Sequence, residues 1–218
     1  MADGNFTVLV QAGPLESYDV HSVRIERKLG QVAEAEVEVH GGEAIGPDDL
    51  LGCEARVAFG RGELEHAFAG VVTDVSFVAT PDDQDGRGTV HRLRIRSHLG
   101  LLADEVDCRI LQDKDVKEIV SELLASLGID AKHQSWGILG TYPKLEYTVQ
   151  YNESALAFVS RLLEKEGIYF YSMAGDDGEI LVFEDDSKAS EPIAGDSVLP
   201  FRHGSGLSRS EDAVATIV

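Results

Sequence analysis

Apolar and polar residues alternate along most of the first hundred positions. Ala33, Ala35, Val37 and Val39 interleave with Glu34, Glu36 and Glu38, so a strand there buries one face and presents carboxylates on the other. Cys53, Ala55, Val57 and Phe59 repeat the period of two. Phe6, Val8 and Val10 predict a first strand, and Val23 and Ile25 belong to a second. His91, Leu93 and Ile95 alternate with Arg92, Arg94 and Arg96, which gives one strand an arginine stripe on its outer face. Gly41-Gly42, Gly60-Arg61-Gly62 and Pro81-Asp82-Asp83-Gln84-Asp85-Gly86 punctuate these runs as turns. Short strands at this spacing predict an antiparallel barrel or sandwich rather than a parallel sheet.

Near residue 113 the period changes. Val116, Ile119, Val120, Leu123, Leu124 and Leu127 follow the i, i+3, i+4, i+7 rule of an amphipathic helix. Asp115 with Glu118 reads as a capping box, and Gly128 as the stop. A second helix is predicted from about Ser154 to Glu166, burying Leu156, Phe158, Val159, Leu162 and Leu163, with Asn152 as its cap and Gly167 as its stop. Between the helices Tyr147, Val149 and Tyr151 alternate as a strand, and Ile168–Tyr171 with Ile180–Phe183 form a hairpin across Gly175-Asp176-Asp177-Gly178. The middle of the chain is α+β. Residues 185 to about 210 are polar and rich in turns, and Ala213–Val218 reads as a strand entering new structure, which predicts a fragment of a longer protein.

Composition narrows the function. Among 218 residues, 19 Lys and Arg face 39 Asp and Glu, a formal net charge of -20 that repels nucleic-acid phosphates and anionic membranes alike. No run approaches the roughly 18 apolar residues that span a bilayer. The N-terminus lacks the basic and apolar segments of a secretory signal, so the protein is expected in the cytoplasm, with any export by a route that cleaves no signal. Cys53 and Cys108 are either a reduced pair or one disulfide.

Motifs for chemistry are missing. There is no phosphate-binding G-x-x-x-x-G-K-[ST], and Gly86-Arg87-Gly88 lacks the next glycine of a dinucleotide loop. The acidic turn at Asp82–Gly86 has Arg92 where a calcium loop needs glutamate. The seven histidines are scattered singly, and neither cysteine has a C-x-x-C neighbour, so no metal is expected. Gly206-Leu207-Ser208-Arg209-Ser210 ends in serine where a nucleophile elbow needs glycine. Glu164 and Glu166 point to different faces of their helix. The sequence names no catalytic residue and no cofactor; binding or assembly is the better class.

Two segments are far more specific. Asp107–Val120, reading DCRILQDKDVKEIV, and Glu146–Ser154, reading EYTVQYNES and continuing through Phe158-Val159-Ser160-Arg161-Leu162-Leu163-Glu164-Lys165-Glu166-Gly167-Ile168-Tyr169-Phe170, resemble the N-terminal half of VgrG. VgrG, also called the Rhs-element Vgr family, is the spike of type VI secretion systems, and that half is similar to the hub of contractile-phage baseplates. The resemblance covers about residues 5 to 218. It implies a mainly β, α+β fold: a first antiparallel barrel over 1–103, an α+β insertion over 104–186, and a linker with the start of a second, truncated barrel over 187–218. It implies a homotrimer whose paired barrels match a hexameric Hcp-like tube, with baseplate proteins and effectors as further partners, and export by the type VI apparatus. The role so implied is mechanical, adapting a sixfold tube to a threefold spike. The departures are the absence of the remaining second barrel, the oligosaccharide-binding-type domain and the needle after Val218, and Arg96-Ser97-His98-Leu99-Gly100 where relatives often carry a Pro-Trp pair. Because the needle supplies much of the trimer contact, this chain alone is expected to be a monomer or to associate weakly.

Arg92, Arg94 and Arg96 are the candidate assembly interface, reaching a neighbouring subunit's carboxylates; the other reading is a ladder with acidic strands of the same chain. The competing functions are the hub of a prophage tail or extracellular injection particle, and a spike bearing a lytic or toxic enzyme domain outside this region.

Overall fold

A computed structural model describes residues 6–15, 18–41, 45–61, 64–78 and 89–190. The N-terminal part is one six-stranded antiparallel sheet. Its strands are β1 (Phe6–Ala12), β2 (Asp19–Glu26), β3 (Glu34–Gly41), β4 (Glu54–Arg61), β5 (Leu64–Val78) and β6 (Thr89–Arg96), in the order β1-β4-β5-β6-β3-β2. The sheet curls until β1 and β2 approach each other without pairing, so the barrel is nearly closed. Alternation decides its inside: Ala35, Val37 and Val39 of β3 meet Leu93 and Ile95 of β6 and Val57 of β4 in a core from which water is excluded. A short helix, α1 (Pro47–Leu50), adds the buried Leu50 to it.

The sequence pattern misses β5, the longest strand. Phe68 and Val72 point into the barrel core, while Ala69 and Val71 on the opposite face are buried as well, because strands of the C-terminal part lie against β5 from outside. A strand covered on both faces loses its alternation. Gly70 is needed there, since a Cβ would stand 2.3 Å from the carbonyl oxygen of Arg96.

A 3-10 helix at His98–Ala103 leads into the α+β part. There follow β7 (Val106–Lys114), α2 (Val116–Ser126), β8 (Gln134–Gly137), β9 (Leu145–Ser154), α3 (Ala155–Glu166), β10 (Tyr169–Gly175) and β11 (Gly178–Glu184). The hairpin β10–β11 takes β8 as a parallel third strand, and β7 pairs with β9 in a separate antiparallel ribbon. Ile119, Val120 and Leu124 of α2 and Phe158, Val159 and Leu163 of α3 form a second core with Phe183, Leu99 and Leu102.

The first helix is bounded as its sequence predicts. Asp115 accepts from the backbone N–H of Glu118 at 2.9 Å, Glu118 accepts from that of Asp115 at 2.9 Å, and Gly128 stands at φ 78°. The second differs at its start. Ser154, and not Asn152, is the cap, accepting from the N–H of Ala157 at 3.1 Å. Asn152 instead occupies the left-handed region at φ 48°, where β9 bulges against β7. An Asn fits either task, so its identity alone does not separate them. Cys53 and Cys108 are free thiols. The acidic turn at 81–86, the near-elbow at 206–210, His203 and the strand predicted at 213–218 lie outside the described residues.

Candidate assembly interface

Arg92, Arg94 and Arg96 occupy alternate outward positions of β6, opposite Glu38, Glu36 and Glu34 of β3. The Arg92 guanidinium grips Glu38 Oε1 through Nε at 2.9 Å and Nη2 at 2.6 Å. Arg94 Nη2 reaches Glu36 Oε1 at 3.4 Å, and Arg96 Nε donates to Thr73 Oγ1 on β5 at 3.1 Å. The Arg92 guanidinium, aided by the Ser22 hydroxyl, holds the Glu38 carboxyl below the usual carboxylate range. Two of the three arginines thus pair within the chain. Their side chains stay about half exposed, 54% for Arg92 and 46% for Arg94, so the ladder forms part of the outer wall.

The β7–β9 ribbon presents a surface of opposite character. Cys108 faces Tyr151 and Ile110 faces Val149 across the ribbon. With Val106 and Tyr147 they make a continuous outward apolar row, in which Ile110 is 70% and Tyr151 77% exposed. The inward positions are Leu111, Thr148 and Gln150, all buried. Tyr147, Val149 and Tyr151 form the strand their alternation predicts, but on its solvent side. A contiguous exposed apolar row is characteristic of surfaces that partners cover. The signal was present in the sequence as the second apolar strand Val106, Cys108 and Ile110, but nothing in it says which face is covered.

A third feature joins the two cores. His98, half a turn beyond β6, donates its backbone N–H to Glu179 Oε2 at 2.7 Å. Its ring Nδ1 contacts the same oxygen at 2.7 Å, and Nε2 lies 2.8 Å from Glu54 Oε1. The hydrogen bond to Glu179 outweighs burial and raises the imidazole pKa to about 9. Around the cluster lies a cavity of about 290 Å³, lined also by His133, Asp177 and the end of α2. Both ring nitrogens are occupied by carboxylates, so His98 carries its proton as a held charge and offers no free lone pair to act as a base. Gly30 N–H to the Phe170 carbonyl at 2.8 Å and Arg56 Nη1 to the Gly175 carbonyl at 2.6 Å add two further ties between the parts.

Two further polar clusters brace the α+β part. Asp185 accepts from the N–H groups of Leu139 and Gly140 at 2.9 and 2.8 Å and from the Tyr142 hydroxyl at 2.9 Å. Those backbone bonds hold its carboxyl below the usual range, while burial, and then Asp185 itself, pushes the Tyr142 phenol up to about 12. Glu184, buried, accepts from Tyr169, Tyr171 and Ser190 hydroxyls. Among the described residues no three His, Cys, Asp or Glu side chains are grouped to hold a metal ion, and no helix is long and apolar enough to cross a membrane.

Comparison with known proteins gives this geometry a context. Residues 26–218 match the family model of the phage tail baseplate hub. The chain is similar to the type VI secretion system spike protein VgrG1c of Pseudomonas aeruginosa, 32% identical over 176 residues, which is 80% of this chain and 23% of that protein. It is 35% identical over 136 residues to VgrG4b of the same organism, covering 62% of this chain and 17% of that protein. It therefore spans less than a quarter of either relative. Among solved structures, the E. coli c3393 protein, a component of the type VI secretion system similar to T4 tail proteins, superposes with a TM-score of 0.75 at 23% identity, covering 84% of this chain and 50% of that one.

Proposed function

The chain belongs to the phage tail baseplate hub family, and we propose that it is the hub portion of a type VI secretion spike. Its task in this reading is mechanical: a rigid ring segment between a hexameric Hcp-like tube and a trimeric spike, assembled with baseplate proteins and carrying effectors outward. The reading divides the chain into a first barrel over 1–103, an α+β insertion over 104–186 and the beginning of a second barrel over 187–218. It has the protein made in the cytoplasm and exported by the apparatus itself, with no catalytic step of its own.

The observation that carries the reading is the nearly closed antiparallel barrel docked on a separately cored α+β part. Close-packed sheets resist compression, and polar ties fix the second core against the first. The histidine cluster at His98 is saturated by carboxylates, which favours scaffolding over catalysis. In the spike, Arg92, Arg94 and Arg96 form the surface that meets a neighbour's carboxylates, the half-exposed side chains of Arg92 and Arg94 keeping donors free beside the internal ladder.

The test mixes the chain with Hcp-like tube hexamers and follows association by sedimentation and by electron microscopy of tube ends. Binding at tube ends is expected; a chain that never associates with tube, spike or baseplate proteins overturns the proposal. Arg94→Glu is expected to leave the thermal melt of the chain in place and to weaken assembly. Unchanged assembly removes the arginine surface from the interface and leaves the hub reading to the first test.

A further inference from the structure

We propose that protonated His98 is the latch holding the α+β part against the barrel, and that removing its proton loosens that docking while both cores stay folded. The geometry is specific. His98 lies where the chain passes from β6 into the second part, and it bonds back to both: through Nε2 to Glu54 of β4 in the barrel wall, and through Nδ1 and its own backbone N–H to Glu179 of β11. Only the imidazolium donates from both ring nitrogens at once. The neutral ring has one donor and one lone pair, so one of the two carboxylates then faces a lone pair at under 3 Å.

Glu179 makes the latch asymmetric. Its side chain is 2% exposed, whereas that of Glu54 is 70% exposed. Glu54 can turn to water when the ring is neutral; Glu179 cannot, and a buried carboxylate without its cation is costly. The other titratable groups facing this site are Asp177 of the β10–β11 turn and His133 of the 3-10 turn Ala131–His133, whose Nδ1 contacts the Glu179 carbonyl at 3.0 Å, with Arg27 acting on Glu179 through its charge. His98 is the cation in direct contact with the Glu179 carboxylate, whereas Arg27 acts on it through its charge.

The imidazole pKa is raised to about 9 from 6.5, so the stabilisation it gives is complete below about 6.5 and is lost as the pH rises through about 9. The latch is therefore closed at neutral pH and opens only in alkali.

The experiment follows the His98 ring resonance of the full chain by NMR between pH 5 and 10.5, with amide hydrogen exchange at Gly178–Leu181 and Glu54–Val57 at the two ends. We expect a midpoint near 9, and exchange at those segments to rise across the same interval beyond the intrinsic base-catalysed rate, with the α2 and α3 amides still protected. Glu179→Gln is expected to bring the midpoint down toward 6.5. His98→Arg, which holds its charge throughout, is expected to abolish the excess exchange. A midpoint near 6.5 in the unaltered chain, or excess exchange that is the same with His98→Arg, overturns the proposal. The titration of the unaltered chain decides even if a variant does not fold.

Discussion

Two surfaces of this molecule are built from alternating strands and end up inside out relative to each other. In the β3–β6 wall the apolar set, Val37, Val39, Leu93 and Ile95, is buried, and the charged set, Glu36, Glu38, Arg92 and Arg94, pairs outside. In the β7–β9 ribbon Thr148 and Gln150 are buried, and Ile110, Val149 and Tyr151 face out. The wall belongs to a sheet that curls round to meet its own apolar face. The ribbon has only two strands, and its inner face lies toward α3, where Arg161 donates to the Val149 carbonyl at 2.6 Å and Gln150 Nε2 donates to the Glu153 carbonyl at 2.9 Å. A period of two says that a segment is a strand; what lies against each face decides which residues are core.

The sharpest way to break this picture is in the two cores. Phe68→Ala and Phe158→Ala remove rings that are fully buried, one in each core, and each is expected to cost about 3–5 kcal/mol. Urea unfolding measures both, and a loss under about 1 kcal/mol at either site contradicts its placement in a packed interior. Next come the caps. Ser154→Ala and Asp115→Ala are each expected to lower stability by about 1 kcal/mol, while Asn152→Gly is expected to be neutral or slightly favourable, since Gly accepts the left-handed backbone there. The reverse order would restore Asn152 as the cap. Arg92→Ala on the outer wall is expected to cost less than about 1 kcal/mol, with the difference shrinking as salt is added, because the pair is half exposed. Smallest of all, Tyr151→Lys on the ribbon is expected to change the melting free energy of the isolated chain by no more than about 0.5 kcal/mol. A clear destabilisation would mean that this face is covered within the chain after all.

Much of the architecture was legible because its signals are local. The capping box at Asp115 and Glu118 and the stops at Gly128 and Gly167 are satisfied within a few residues of chain, so the sequence states them outright. The apolar stripe of α2 and the alternation of β3, β4 and β6 are likewise complete in one line of text. What was illegible depended on distant neighbours. The β5 strand lost its alternation because the α+β part covers its outer face, and Gly70 looks like any turn residue until the Arg96 carbonyl is placed beside it. Of the candidate site, the arginine stripe and its facing carboxylates were readable as patterns, but their register, Arg92 with Glu38 and Arg94 with Glu36, was not. His98 gave no signal, since its partners Glu54 and Glu179 lie 44 and 81 residues away.

By itself, then, the sequence determined the periods, the helix ends, the acidic balance and the resemblance to spike hubs, because each depends on residue identity and short-range spacing. Only the tertiary structure decided which face of the ribbon is bare, which strand is buried twice, and which histidine is held between carboxylates. Those outcomes rest on burial and pairing across tens of residues, and solvent exclusion is a property of the folded neighbourhood that no short segment carries.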